Sequence, residues 1–255
     1  MTRFWRYAWL SYRGLFTWLN PWGYLSTRVI VPVMLALLFG SLGRYLGSGA
    51  ARPAVGASLL AVGIATVYGI NLAVANERTF GTLAGWLMAP QSLLMGLLGK
   101  AAVHIADAML GATLTLGTAI LAFSLPLSGH ELLEIAACAA CAAVSTCGIG
   151  VVAAAISVRF RDVFTAPNVA ESLLLVTSGA VVSPGALPDR IGEIGLFLPL
   201  RHAVQAADAV VAGAALPVGQ LGWELLAGLG WGVAGFGSLR WMALRARQTG
   251  SLYAR

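Results

Sequence analysis

Long apolar runs separated by short polar segments are the dominant pattern along this chain. Two of these runs, 54–75 and 135–158, contain no charged residue. The hydrocarbon core of a bilayer is about 30 Å thick and a helix needs roughly 20 apolar residues to cross it, so both runs predict membrane spans. Four further runs reach a similar length when a charged side chain in the run or at its end is accommodated; they are 29–46, 101–123, 163–182 and 218–239. The pattern predicts an all-α membrane protein with six transmembrane helices.

The positions of the lysines and arginines agree with six spans. An even number of spans places both termini on one side of the membrane, and cytoplasmic segments are enriched in positive charge. With this count, 12 of the 16 Lys and Arg residues fall on the side of the termini. The other four are Arg44, Arg52, Arg190 and Arg201. We therefore expect a multi-pass protein of the cell (plasma) membrane with both termini in the cytoplasm.

Three segments outside the spans have patterns of their own. Residues 1–20 interleave arginines with aromatic residues, which predicts an interfacial helix on the membrane surface. Residues 76–92 have few charges and apolar residues at helical spacing, which favours a short cytoplasmic helix between spans 2 and 3 over a re-entrant or membrane-resting loop. Residues 183–217 contain four prolines in an apolar segment, which predicts broken re-entrant helices on the outer side, between spans 5 and 6. We expect 1–255 to form a single transmembrane domain.

Composition excludes a soluble enzyme. Hydrophobic residues make up 58% of the 255 residues, charged residues make up only 10%, and the mean hydropathy is +0.82. Soluble globular domains carry about 25% charged residues. The net charge of +6 is therefore expected to face anionic lipid headgroups, and we expect no nucleic acid partner. The three cysteines lie in one apolar run and are expected to pack there.

The sequence offers no convincing nucleotide-binding loop. The nearest match to the phosphate-binding pattern G-x-x-x-x-G-K-[ST] is Gly99-Lys100, but Leu94 replaces the first glycine and Ala101 replaces the hydroxyl residue. We therefore expect no cofactor to be bound by this chain.

Ionisable residues within predicted spans are candidate functional residues, because a charge placed in lipid is costly. His104 and Asp107 lie three residues apart on one face of the third span. They fit a pathway role, as a proton relay or substrate contact, or a hydrogen-bonded pair that fixes helix packing. Glu171 lies deeper, in the fifth span, and is a further possible pathway residue. Glu224 lies near the outer end of the sixth span beside Trp223, where we expect it to be solvated.

Four short motifs occur along the chain, in the loops that follow the second, fourth and fifth predicted spans. They are Glu77-Arg78 with Gly81-Thr82-Leu83 and Leu87 to Pro90, then Arg159-Phe160-Arg161-Asp162, then Ser183-Pro184 with Leu187-Pro188, and finally Pro199-Leu200 leading to Gly213. In these motifs, and over its whole length, the chain resembles the permease subunits of type-2 ABC exporters, a family that includes antibiotic, drug and polysaccharide exporters. It departs from the usual family pattern at Leu198, where asparagine is common, and at Asp208, where a basic residue is common.

The resemblance implies a division of labour between subunits. Two permeases, identical or homologous, would form the translocation pathway, and two copies of a cytoplasmic ABC ATPase subunit would bind ATP and Mg²⁺ and drive export. The exported substrate would be an amphipathic drug, an antibiotic or a lipid-like molecule. A second cytoplasmic loop would carry Arg159, Arg161 and Asp162. The loop after the second span would be the coupling helix that docks on the ATPase, with Glu77, Arg78, Gly81, Thr82, Leu83, Leu87 and Pro90.

Three alternative functions follow from the residues. A proton-coupled secondary transporter would use Asp107, His104 and Glu171 as a proton path and would act without an ATPase. An intramembrane serine protease would need a nucleophile and a histidine, for which Ser178 and His202 are the nearest candidates, although His202 falls in the outer loop. A permease-like assembly factor would share the fold and differ only in cargo.

Overall fold

The computed structural model of the chain describes residue 9 and residues 21–88, 93–160, 162–181 and 188–249. Every regular element from residue 21 onward in this part of the chain is a helix. In chain order these helices are α1 (Pro21–Leu25), a π-helical turn (Ser26–Ile30), α2 (Val31–Tyr45), α3 (Ala51–Thr79), α4 (Leu83–Met88), α5 (Leu93–Phe123), α6 (Gly129–Phe160), α7 (Thr165–Thr177), α8 (Asp189–Leu196), α9 (Arg201–Val211) and α10 (Val218–Thr249).

Four helical stretches are long and apolar enough to cross a membrane. They are Ser26–Tyr45, α3, α5 and α6, and they coincide with the first four predicted spans. The chain is therefore a multi-pass, all-helical membrane protein, as the apolar runs predict. Helix α6 starts before its apolar run, and polar residues cap it there: the backbone N–H of Ser128 donates to Glu131 Oε2 at 2.6 Å, and the Glu131 N–H donates to Ser128 Oγ at 3.3 Å.

The last two predicted spans differ from the observed helices. Of the fifth predicted span, the described residues 163–181 contain 13 helical residues, in α7, which gives a length of about 20 Å. This helix ends early because the chain turns at Gly179, whose φ is +87°. The 32-residue α10 is long enough to cross a membrane, but its many glycines and tryptophans lower its hydropathy, and it is not among the four stretches above. The count of six spans stays a prediction.

The segment 183–217 contains two short helices joined by a sharp bend. Helices α8 and α9 meet at an angle of 98°, and together they have the apolar length of one span. The bend falls at 197–200, where Leu200 has a φ of +84°. The first part of this segment, 183–187, lies outside the described residues, as do Pro90, Arg161 and all of the predicted interfacial helix 1–20 except residue 9.

Helix α3 lies at the centre of the bundle. It packs against α2, α5, α6, α7 and α9, and most of its residues from Ala54 to Ala75 are buried. Leu59, Leu60 and Val67 are among the largest fully buried side chains. A helix that is buried on all sides carries no polar stripe, which explains why 54–75 reads as an uninterrupted apolar run.

Helix α10 packs closely on α6 through glycines. A Cβ atom placed on Gly228 would lie 2.3 Å from the Cα of Ser145, and one placed on Gly148 would lie 2.4 Å from the carbonyl oxygen of Gly228. Gly235 faces Val151 in the same way, at 2.8 Å. Gly228 and Gly235 of α10 therefore serve helix packing within one chain, because the absence of side chains lets the two backbones meet.

Leucine at Gly228 should destabilise the bundle, because the added side chain has to displace the α6 backbone. Overpacking of this kind costs about 1–3 kcal/mol, so the thermal unfolding midpoint in detergent should fall by roughly 5 °C. Gly237→Leu is the matched control on the same helix, since a Cβ atom there meets nothing within 4 Å. Equal midpoints for the two variants would contradict this packing.

Candidate functional site

The short helix α4 follows a tight turn at the end of α3. The backbone N–H of Thr82 donates to the carbonyl of Glu77 at 2.8 Å, and the N–H of Gly81 donates to the carbonyl of Arg78 at 3.0 Å. Gly81 has a φ of +72°, a conformation that side chains disfavour. The turn leaves Phe80, Gly81 and Thr82 exposed. The structure thus places the predicted short helix within 76–92, directly after the second span.

An ion pair fastens this turn to the next span. Lys100 Nζ of α5 lies 2.7 Å from Glu77 Oε1 and also donates to the carbonyl of Ala73 at 2.8 Å. The Thr82 hydroxyl contacts the other carboxylate oxygen of Glu77. Lys100 also lies over the Trp86 ring of α4, 5.6 Å from its centre. Helices α3, α4 and α5 are therefore linked through one lysine.

A second set of contacts joins α4 to α6 and α10. The Arg78 guanidinium donates to the carbonyl of Val158 near the end of α6. Beside it, Val74, Leu97, Val158 and Leu239 form a buried apolar cluster, and Leu83 and Trp86 of α4 pack against this cluster. Gly96 makes room for the Trp86 ring, because a Cβ atom there would lie 2.9 Å from Nε1. The short helix is thus attached to four long helices.

The remaining residues of the two predicted cytoplasmic motifs are only partly described. Leu87 lies in α4, and Pro90 and Arg161 lie outside the described residues. Arg159 lies over the ring of Phe160 at 5.7 Å. Asp162 is exposed and accepts hydrogen bonds from the Thr165 hydroxyl and from the backbone N–H groups of Phe164 and Thr165, which hold the pKa of its carboxyl below the ordinary value. Asp162 therefore stabilises the start of α7.

The inner face of α5 carries a row of polar residues, Lys100, His104 and Asp107. Their spacing places them on one side of the helix. Asp107 forms an ion pair with Arg28 of the π-helical turn, with 2.6 Å between Oδ2 and the guanidinium nitrogen. His104 is fully buried against Gly69 of α3, and neither of its ring nitrogens has a hydrogen-bond partner among the described residues. The ion-pair partner of Asp107 is thus Arg28, which directly precedes the apolar run 29–46.

Glu171 is held by a different helix. Its Oε2 accepts a hydrogen bond from the Tyr68 hydroxyl at 3.0 Å, and that hydroxyl also contacts Asn168. One turn along α3, Asn71 donates to the carbonyl of Val163 at 2.7 Å and accepts from the Ser157 hydroxyl at 2.8 Å. The three possible pathway residues thus have separate partners: Asp107 is bound to the first span, His104 packs on α3, and Glu171 ties α7 to α3.

The expectation that Glu224 is solvated is wrong. Its side chain has no exposed surface. One carboxylate oxygen accepts a hydrogen bond from the Leu200 N–H at 2.6 Å and contacts the Ser145 hydroxyl, and the other accepts from the Ala203 N–H at 3.2 Å. Glu224 therefore satisfies backbone donors at the start of α9, which the sequence does not reveal because helix α9 begins 23 residues earlier in the chain.

The bent pair α8 and α9 is also fastened to other helices. Arg52 at the start of α3 makes two hydrogen bonds to Asp208 Oδ2, at 2.8 and 3.0 Å. His202 contacts Gln220 through Nδ1 and the carbonyl of Leu196 through Nε2, while the Ser178 hydroxyl accepts a hydrogen bond from the Ala180 N–H. Ser178 and His202 thus have other partners, and no hydrogen bond joins them as a protease dyad.

Comparison with known proteins identifies the family. The family model described as ABC-2 type transporter matches residues 6–211. The chain belongs to the ABC-2 type transporter family. A search of the curated proteins finds no match. As an ABC-2 membrane domain, the chain is a permease of an ABC-type transporter without catalytic activity of its own, and its family implies an ATPase partner.

Asp107→Asn should destabilise this ABC-2 permease, because it leaves the Arg28 guanidinium without its ion-pair carboxylate in an apolar bundle. We expect a loss of about 2 kcal/mol, less than for a fully buried pair because the Arg28 side chain keeps 24% exposure. Asp189→Asn at an exposed position is the control. Thermal unfolding in detergent measures both variants, and the exchange Arg28→Asp with Asp107→Arg should recover part of the loss. Equal midpoints for Asp107→Asn and Asp189→Asn would refute a stabilising pair.

Proposed function

We propose that this chain is the membrane-spanning permease subunit of an ATP-driven exporter, and that α4 is the helix through which a separate ATPase acts. The observation that carries this proposal is the attachment of α4 to several long helices. The Glu77–Lys100 ion pair and the Arg78–Val158 hydrogen bond join the last turn of α3, which leads into α4, to α5 and α6. Leu83 and Trp86 of α4 pack on the cluster between these helices, and Lys100 lies over the Trp86 ring. A displacement of α4 is therefore passed to α3, α5 and α6 together, because packed helices move as units.

The exposed surface beside this attachment is the proposed docking site. Phe80, Gly81, Thr82 and Gly85 are exposed at the end of the bundle that carries α4. In the proposed transporter, this surface seats in one ATPase subunit, and ATP and Mg²⁺ are bound there and not by the permease. Two ATPase subunits then serve two permeases, identical or homologous, which form the pathway between them.

The proposed topology places the α4 end and both termini in the cytoplasm. The enrichment of Arg and Lys on that side supports it. Helices α7 and α10 complete six spans in this arrangement, and residues 1–20 form an interfacial helix on the inner leaflet. The bent pair α8 and α9 then lies on the outer side of the cell membrane. The substrate that we propose is an amphipathic drug, an antibiotic or a lipid-like molecule, as in the exporters that the chain resembles.

A proton-coupled secondary transporter is the alternative. One observation favours it: His104 is fully buried with no hydrogen-bond partner among the described residues. For the other two residues of this proton path the contacts favour structural roles, because Asp107 is paired with Arg28 and Glu171 is bonded to Tyr68. The two functions differ in one measurable respect, because only the exporter requires an ATPase.

Purification of the tagged chain from its native membranes in mild detergent tests the exporter directly. We expect an ATPase with a P-loop to co-purify in stoichiometric amount, with turnover that vanadate inhibits. A second permease that co-purifies would identify a heterodimer. A chain that elutes alone, shows no ATPase turnover and transports protons in liposomes would overturn the exporter in favour of the proton-coupled alternative.

Alanine at Gly81 tests the docking site. The residue has a φ of +72°, so a side chain there strains the turn before α4 by roughly 1–2 kcal/mol. We expect about fivefold less ATPase to co-purify with this variant, because a strain of this size changes an equilibrium constant by a factor of about 5–30. Gly47→Ala is the matched control, because Gly47 has a φ of +74°, a Cβ atom there meets nothing within 4 Å, and it lies in the turn before α3, at the other end of that helix from α4. The same ATPase retention in both variants would contradict the assignment of α4.

A further inference from the structure

A cavity of about 820 Å³ lies between the bent pair and α10, at the end of the bundle away from α4. The end of α8, the first turns of α9 and one face of α10 line it. Its volume falls in the range of small-molecule sites, about 300–1,000 Å³. The cavity has no part in the coupling site described above.

The cavity has a polar end and an apolar end. His202 and Gln220 are bonded to each other near the start of α10, Gln205 lies about one turn farther along α9, and the lining toward the middle of α10 includes Ala227, Gly230 and Ala234. From residue 220 to residue 234 the helix rises by about 21 Å. The acyl chains of one leaflet extend over about 15 Å, half of the bilayer hydrocarbon core. The cavity is thus long enough for one chain and polar at one end.

Gln205 offers a ligand in the cavity an amide whose donor and acceptor are both unpaired within the described part of the chain. His202 and Gln220 are bonded to each other, and the Trp231 indole donates to the carbonyl of Phe197 at 2.8 Å. The amide of Gln205 has no hydrogen-bond partner among the residues that the structure describes. An amide donates to and accepts from neutral polar groups such as ester carbonyls and hydroxyls.

The surroundings of the cavity identify the source of its ligand. No Asp, Glu, Lys or Arg is among the described residues that line it. The apolar surface continues outward over exposed side chains of α10 and the bend, with Leu229 64% exposed, Val233 64% exposed and Phe197 75% exposed. With α10 as a membrane span, as in the proposed topology, such a surface would face lipid and the cavity would open toward the bilayer.

We propose that this cavity is a binding site for an acyl chain of a membrane phospholipid, with the ester end of the chain at Gln205 and the methyl end beside Gly230. The bound chain fills the space between α10 and the bent pair and so supports the position of α9. The site rests on the proposed topology, in which α10 spans the membrane, and it does not depend on the ATPase.

A photoactivatable lipid tests the site. The full chain is reconstituted in phosphatidylcholine vesicles that contain a small fraction of phosphatidylcholine with a diazirine on one acyl chain, and the labelled peptides are identified by mass spectrometry. Cleavage after Arg201 and Arg240 releases residues 202–240 as one peptide, which contains most of the lining. We expect this peptide to carry the label at residues that face the cavity, with labelling that saturates as the probe fraction rises.

A variant that fills the cavity distinguishes labelling by a lipid bound in it from labelling by the lipid that surrounds any membrane protein. Gly230→Phe should reduce labelling of peptide 202–240 by about fivefold or more, equivalent to roughly 1 kcal/mol. A Cβ atom at Gly230 meets nothing within 4 Å, so the variant should fold, and its unfolding midpoint in detergent checks this. Gly237→Phe is the matched control on the same helix, open in the same way and outside the lining. Unchanged labelling in Gly230→Phe would overturn the proposal.

A hydrocarbon probe tests the polar end. An alkane that carries a diazirine and matches the acyl chain in length should label wild-type peptide 202–240 less than the ester lipid does. Gln205→Leu should remove this difference. Equal labelling by both probes in the wild type would show that Gln205 does not hold the ester end and would overturn that part of the proposal.

Discussion

Polar groups inside an apolar bundle have to find their partners within the protein, because lipid offers them none. In this ABC-2 permease that constraint determines which helices adjoin. Lys100 is held by Glu77, Arg28 by Asp107, and the backbone donors at the start of α9 by Glu224. Each of these contacts joins two helices that are separate in the sequence. The apolar surfaces and the glycines then bring the same helices to close packing.

Helix α3 connects the two ends of the bundle. At one end Glu77 ties it to α5 and to the turn before α4, and at the other end Arg52 ties it to α9 through Asp208. Between these ends it is buried, with Tyr68 bonded to Glu171 of α7 and Asn71 bonded to the carbonyl of Val163, before the start of α7. A rigid element that is fastened at both ends transmits displacement between them. This arrangement links the proposed ATPase-docking surface to the bent pair on the far side.

The Arg52–Asp208 pair holds α9 to the start of α3. Asp208 is one of the positions at which the sequence departs from the resemblance, and an arginine lies opposite it. Glu224 has a comparable role on the other side of α9, because its carboxylate satisfies two backbone donors at the helix start. The position of α9 therefore rests on two acidic side chains, one on its own surface and one on α10.

The first four spans, the all-helical class and the short helix after the second span were predictable from the sequence, because apolar length and helical spacing are local properties. The family resemblance likewise rests on short motifs that are read in order along the chain. The partner of Asp107, the burial of Glu224, the isolation of His104 and the shortness of α7 were decided by tertiary structure. Ion pairs such as Arg28–Asp107 join residues that are far apart in the sequence, and the rotation of each helix about its axis selects the partner. That rotation is set by packing against several neighbours at once, which no single segment of the sequence encodes.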